Sequence, residues 1–228
     1  MGLNTEELFK DRAGSKRDRD VLARELLAAV GQGSEAVKKL LFGGAKPERY
    51  SDHGSYRQGM HDHCDGLKNS RVTEKRICKC LYYRNGKYYD PDACRRCGYA
   101  HEGRFQIVGR YQITDYEVPA YYYGTGIGEI DLVVSDGETK YAVEVKPPEG
   151  NPETLLRMIA EIMTYTIGYP EGQYHKAIAF FEGTAQEQEF AGDAEKAGGV
   201  IKEILEKADI AVFCFKKAGG RTYELCKL

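Results

Sequence analysis

Acidic and basic side chains stand at the ends of two neighbouring apolar segments within residues 126–146. Glu129 and Asp131 open the first segment, and Glu144 and Lys146 close the second. Side chains two residues apart in a strand point to the same side, so each pair shares one side of its strand. If the two sides coincide, three carboxylates and one ammonium group converge on a sheet surface that is otherwise aliphatic.

This combination of groups is suited to metal-assisted hydrolysis of a phosphodiester. Mg²⁺ and Mn²⁺ prefer oxygen ligands, and Mg²⁺ usually takes only one or two carboxylates from a protein. We expect Asp131, Glu144 and the carbonyl of Val145 to bind the ion. Lys146 would orient or stabilise the activated water, and Glu129 would act as a supporting acid. The alternative is a surface salt-bridge network in which these side chains point to water.

The elements that must position these groups are a β-hairpin and the helix after it. Strands are predicted over Glu129–Ser135 and residues 139–146, because Asp-Gly between two apolar runs is a strong turn signal. A helix capped by Asn151 is predicted to follow and to end near residue 168. Further helices are predicted over residues 4–31, 35–42, 186–196 and 200–207. Further strands are predicted within residues 104–123 and over residues 176–181, 210–215 and 222–226.

Four of the seven cysteines form two close pairs, Cys78-x-Cys80 and Cys94-x-x-Cys97. Residues 81–89 between the pairs are predicted to form a hairpin arm that turns at Asn85-Gly86. Four thiolates placed in this way would hold zinc in tetrahedral geometry, with disulfides or free thiols as the alternatives. Zinc would order a segment that has too little apolar surface to order itself.

Positive charge is concentrated in one part of the chain. Residues 64–110 contain eleven Lys or Arg against five Asp or Glu, although the whole chain has a net charge of −2. A basic region in an acidic protein favours a polyanionic partner, DNA or RNA, that touches this region. Its tyrosines would either stack on bases or pack the arm against the main domain.

Membrane and export signals are missing from the pattern. No run approaches the roughly 18 apolar residues that a membrane span requires, and the N-terminus lacks a signal-peptide pattern. We therefore expect no membrane partner and a cytoplasmic location. The pattern does not specify an oligomeric state.

Asp131 followed by Glu144-Val145-Lys146 resembles the signature of the PD-(D/E)XK nuclease superfamily, which has the restriction-endonuclease-like fold. The Gly-x-Gly-Glu-Ile-Asp entry to the first strand is similar to the RecB-like branch. In that branch the helix after the lysine carries Gln-x-x-x-Tyr, and this chain has Glu161 and Tyr165 at the matching positions. The resemblance implies a Mg²⁺- or Mn²⁺-dependent deoxyribonuclease in which Glu161 and Tyr165 position the substrate. It also implies that Glu25 is an additional acidic ligand.

Some RecB-like nucleases carry a four-cysteine iron–sulfur cluster, most of whose ligands follow the nuclease core. Here all four paired cysteines precede the core, so zinc is the favoured metal. The expected fold class is α/β: a restriction-endonuclease-like mixed-sheet sandwich with a cysteine-rich zinc-hairpin insertion. Residues 1–44 would be the N-terminal helices of the nuclease domain, 45–103 the insertion and 104–228 the nuclease core. The alternative function is a non-catalytic nucleic-acid-binding protein on the same fold.

Overall fold

The computed structural model describes residues 19–43, 74–85, 91–92, 106–121, 128–148, 153–192, 197–219 and 222–228. Its helices are α1 (Arg19–Gln32), α2 (Ser34–Phe42), α3 (Glu74–Asn85), α4 (Leu155–Ile167), α5 (Ala185–Ala191) and α6 (Ala197–Lys207). Its strands are β1 (Gln106–Val108), β2 (Gln112–Pro119), β3 (Glu129–Ser135), β4 (Lys140–Val145), β5 (His175–Phe181), β6 (Ile210–Gly219) and β7 (Thr222–Lys227).

The strands form one mixed seven-stranded sheet in the order β1-β7-β6-β5-β4-β3-β2. Strands β4, β5 and β6 run parallel at its centre. The antiparallel pairs are β2–β3, β3–β4 and β6–β7, and β1 is parallel to β7. The predicted α/β class with a mixed sheet is therefore confirmed.

Helices cover both faces of this sheet. On one face α4 lies against β3, β4 and β5, and α1, α2, α5 and α6 complete the same apolar cluster. On the other face α3 contacts β2, β3 and β1. Because β1 and β2 are the two edge strands, the sheet curls around α3. None of the helices in the described ranges has the length and apolarity that a membrane span requires.

Local sequence accounts for the hairpin and for α4. Strands β3 and β4 lie where they were predicted, and Gly137 in their turn has φ 102°, a conformation that glycine adopts at little cost. Helix α4 begins later than predicted, at Leu155. Its N-cap is Thr154 rather than Asn151, and the Thr154 side chain accepts a hydrogen bond from the amide of Arg157.

Two predictions about the segment before the core were wrong. Residues 81–85 belong to α3 and not to a hairpin arm. The segment was also expected to lack an apolar core, yet α3 contributes six buried side chains to the cluster beneath the sheet: Ile77, Cys78, Cys80, Leu81, Tyr82 and Tyr83. Tyr82 and Tyr83 pack on Tyr116 of β2, with ring centroids 5.1 and 5.8 Å away. These two tyrosines therefore serve packing, the second of the alternatives considered for them.

Candidate active site

The start of β3 and the end of β4 bring two carboxylates together beneath α4. Leu132 pairs with Val143, so Asp131 and Glu144 stand at the next position along the same hairpin. Asp131 is 8% exposed and Glu144 is 2% exposed. The amide of Val145 donates a hydrogen bond to Asp131 Oδ2 over 2.8 Å, which fixes the orientation of that carboxylate.

A third carboxylate comes from the opposite face of the sheet. Glu74 is the first residue of α3, and the apolar residues Ile77 and Leu81 hold that helix on the sheet. One carboxylate oxygen from each of Glu74, Asp131 and Glu144 lies within 4.8 Å of the other two. The helix end therefore completes a group that the hairpin alone would leave with two members.

Lys146 lies at the centre of a larger ionic network. Its ammonium donates hydrogen bonds to Glu144 Oε1 over 2.5 Å and to Glu74 Oε2 over 3.0 Å. It also lies 2.8 Å from Glu153 Oε2 and 3.1 Å from Glu161 Oε2. These last two contacts have the distance of an ion pair but not the alignment of a hydrogen bond. Only 2% of the Lys146 side chain is exposed.

Arg157 of α4 binds the far side of the same two glutamates. Its guanidinium contacts Glu153 Oε1 and Glu161 Oε1, each over 2.9 Å. Glu161 lies one turn after Arg157 on the helix, where positions i and i+4 are neighbours, whereas Glu153 lies just before the N-cap Thr154. Each glutamate therefore bridges Arg157 through one oxygen and Lys146 through the other.

The charges of the network do not cancel. Among the residues that the structure describes, five carboxylates surround two cations, which leaves three negative charges when every group is ionised. Burial raises the pKa of Glu144 and of Asp131 well above the usual carboxyl values, and the neighbouring carboxylates raise both further. Burial alone would lower the pKa of Lys146, but Glu144, Glu161 and the other carboxylates hold it well above its usual value.

Divalent metal would relieve this imbalance, and the residues fit such an ion. The donor atoms of Glu74, Asp131 and Glu144 are all oxygens, which Mg²⁺ and Mn²⁺ prefer. Oε2 of Glu144 is buried, and it accepts no hydrogen bond from any residue in the described part of the chain. A buried carboxylate oxygen normally has a partner, so this atom is an available ligand. No donor atom of this group is softer than oxygen.

The structure brings most of the sequence-predicted site residues to this place. Glu161 is in the network, and Tyr165 lies one helical turn further along α4 with its hydroxyl beside Gly128, at the entry to β3. Burial raises the pKa of Tyr165. Glu129 lies at the rim of the site, half-exposed, and accepts a hydrogen bond from Lys75 over 3.1 Å. Val145 contributes its amide, and a role for its carbonyl stays a prediction.

Other predicted residues lie elsewhere. Glu25 is on α1, which packs on α2 and α6, and the three-carboxylate group does not include it. Cys94 and Cys97 lie outside the described residues. Cys78 and Cys80 are both buried on α3, where side chains two apart do not face each other, so the expected hairpin presentation of this pair is absent. Burial, with Asp131 and Glu74 close by, raises the pKa of Cys78. The four-cysteine zinc site stays a prediction.

Sequence reasoning missed two acidic members of the site. Glu153 has a local signal in the helix as it was predicted from Asn151, because it continues the four-residue spacing of Arg157 and Glu161, although in the structure it lies just before the N-cap Thr154. Glu74 has none, since it is 72 residues before Lys146 and its helix was not predicted. Comparison of the chain with models of protein families, with curated proteins and with solved structures found no match.

Proposed function

We propose that this chain is a Mg²⁺- or Mn²⁺-dependent nuclease of PD-(D/E)XK type that hydrolyses phosphodiester bonds of DNA. One observation carries the proposal: Glu74, Asp131 and Glu144 present oxygen ligands to one point, and a buried lysine lies beside them. These groups can hold a metal ion that activates water, and they supply a cation for the charge that develops on a phosphodiester during hydrolysis. The restriction-endonuclease-like fold is part of the same proposal, and the mixed sheet with helices on both faces is compatible with it.

The residues of the chain have distinct tasks in this proposal. Glu74, Asp131 and Glu144 would hold the metal ion, which supplies a nucleophilic water at neutral pH and neutralises phosphate charge. The Val145 amide keeps Asp131 in place. Lys146 acts as a cation and not as a base, because the surrounding carboxylates keep its ammonium protonated. It therefore stabilises negative charge on the phosphate, and Glu161 and Tyr165 position the substrate from α4.

The side from which a polyanion would approach is the N-terminal end of α3. Glu74 and Glu129 are 30% and 36% exposed, whereas Glu144 is 2% exposed, so the site opens in this direction. Three basic residues, Lys75, Arg76 and Lys79, lie within the next five positions of α3. Basic side chains on the helix that carries Glu74 support a substrate with a phosphate backbone, which such groups hold without reading its sequence.

A cleavage assay tests the proposal. Purified protein is incubated with circular and linear, single- and double-stranded DNA in Mg²⁺, Mn²⁺ or EDTA. We expect cleavage only with a divalent ion, and a loss of about a hundredfold or more in Glu144→Gln and Lys146→Met. Glu138→Gln, at the exposed far end of the hairpin, is the matched control and should cleave normally. Circular substrates separate internal cutting from cutting at ends.

Two outcomes would contradict the proposal. Full activity in folded Glu144→Gln would remove this site from the reaction. Salt-dependent DNA binding without cleavage in Mn²⁺ would favour the alternative, a non-catalytic nucleic-acid-binding protein.

A further inference from the structure

The four carboxylates around Lys146 fall into two pairs that differ in their other contacts. Glu74 and Glu144 belong to the group that fits a divalent ion. Glu153 and Glu161 do not belong to that group, and each is bound by Arg157 through its other oxygen. The ammonium therefore lies between two ligands of the candidate metal site and two carboxylates held by an arginine.

Lys146 currently makes its aligned hydrogen bonds to the first pair only. Its Nζ has hydrogen-bond geometry with Glu144 and Glu74, while Glu153 Oε2 and Glu161 Oε2 lie at 2.8 and 3.1 Å without hydrogen-bond alignment. An ammonium group has three donors that rotate freely about its last bond. Because Nζ already lies 2.8 and 3.1 Å from the two oxygens of the second pair, a small shift of Nζ would align it with them.

We propose that, without a divalent ion, the Lys146 ammonium takes the place of that ion at Glu74 and Glu144. When the ion binds, the ammonium moves to a second binding position formed by Glu153 and Glu161, the second seat, and so stays in the site. This inference rests on the proposed metal dependence. Even with the ion on Oε2 of Glu144 and the ammonium on Oε1 of the same carboxylate, the two cations would be close enough to repel each other strongly, so they do not share that carboxylate. The second seat lets Lys146 move away from Glu74 and Glu144 while its ammonium stays in the site. This is possible because Arg157 holds both Glu153 and Glu161 in the required orientation.

The arrangement makes Lys146 a competitor of the metal as well as a catalytic cation. Without the second seat, a metal ion would force a buried ammonium into an environment that lacks a partner, which is strongly unfavourable. With it, both cations are neutralised by separate carboxylates. Glu153, Arg157 and Glu161 are then positioning residues for Lys146.

Metal binding in the absence of DNA tests this inference without measuring activity. Mn²⁺ affinity is measured by the electron paramagnetic resonance signal of free Mn²⁺ for the wild type, Lys146→Met and Lys216→Met. We expect Mn²⁺ to bind about tenfold more tightly to Lys146→Met. Lys216 is an exposed lysine of β6, so the affinity of its variant should stay within about twofold of the wild type. Unchanged or weaker binding to Lys146→Met would overturn the inference and leave the proposed function standing.

A second measurement on the wild type covers the case in which Lys146→Met does not fold. The side-chain ammonium of Lys146 is followed by ¹H–¹⁵N NMR during titration with Mg²⁺. We expect its signal to shift while proton exchange stays slow, because the ammonium changes partners but stays hydrogen-bonded and buried. A signal that does not move as Mg²⁺ saturates the protein would refute the second seat. If neither Mn²⁺ nor Mg²⁺ binds the wild type, that result contradicts the proposed function, and with it the inference that rests on it.

Discussion

Replacement of Glu144 by glutamine should stabilise the metal-free protein. Glu144 is 2% exposed, its Oε2 accepts no hydrogen bond from a described residue, and it lies among other carboxylates. Glutamine has nearly the same shape and keeps an oxygen that accepts the hydrogen bond of Lys146. The substitution therefore removes one of five negative charges while it preserves packing. Lys146 keeps its contacts with Glu74, Glu153 and Glu161.

The size of the effect follows from the oxygen that accepts no hydrogen bond, because the amide of glutamine can donate to the neighbouring Glu161 carboxylate where that oxygen cannot. A buried polar atom without a partner costs about 1–3 kcal/mol, and a charged one stands at the upper end. We expect the free energy of unfolding of Glu144→Gln to exceed that of the wild type by about 1–3 kcal/mol in EDTA at about pH 8. For a chain of this length, each kcal/mol raises Tm by about 2–4 °C.

The pH dependence of the stability difference between Glu144→Gln and the wild type provides an independent test of this prediction. The pKa of Glu144 is raised in the folded protein, so the unfolded chain loses its proton first as pH rises. The contribution of Glu144 to wild-type stability therefore falls as pH rises from the ordinary carboxyl pKa through the raised one. The advantage of Glu144→Gln should grow over that window and disappear below about pH 4, where both states hold the proton.

Differential scanning calorimetry across this pH range measures both quantities, with exposed Glu138→Gln as the control. Addition of Mn²⁺ should raise Tm of the wild type and leave Tm of Glu144→Gln nearly unchanged, because one ligand is gone. A variant that is less stable than the wild type at about pH 8 in EDTA would refute the reasoning, since it would show that the ion pair of Glu144 with Lys146 outweighs the repulsion.

Three further predictions concern the elements around the site. A Cβ at Gly128 would lie 2.8 Å from the Tyr165 hydroxyl oxygen, so Gly128→Ala should destabilise the protein by about 1–3 kcal/mol, and Tyr165→Phe should recover part of that loss in the double variant. Urea unfolding of the two single variants and the double variant gives this coupling, and additive effects would show that the two residues do not meet. Thr154→Ala removes the N-cap of α4 and should cost about 1 kcal/mol in the same assay, whereas Thr154→Ser should cost less; equal losses would show that the cap hydroxyl is not the cause. If Cys78, Cys80, Cys94 and Cys97 bind zinc, elemental analysis of the purified protein should find one zinc per chain in the wild type and none in Cys97→Ser. A brown colour would indicate an iron–sulfur cluster instead of zinc. Wild-type protein without bound metal would contradict both possibilities.

Helix α3 shows where local patterns mislead. Its residues Ile77, Cys78, Leu81 and Tyr82 are spaced for one face of a helix, and all four are buried. The same stretch also has the cysteine spacing of a metal-binding hairpin, and that pattern decided the prediction. Burial of the aromatic and thiol side chains under a curled sheet favours the helix, but the curl arises from pairing between strands far apart in the sequence.

The β3–β4 hairpin, α4 and the positions of Asp131, Glu144 and Lys146 were predictable from the sequence alone. Their signals are local: alternating apolar residues, an Asp-Gly turn, and an apolar stripe at helical spacing. The two pairs of carboxylates around Lys146 depend on the tertiary structure to different degrees. Glu161 follows from periodicity along α4, once that helix is known to lie over β4, and Glu153 lies just before the N-cap of the same helix. Glu74 reaches Lys146 only because α3 packs on the opposite face with its first residue at the end of the sheet. Contacts between such distant segments arise from the packing of whole elements, and no residue near Glu74 in the sequence carries a signal for them.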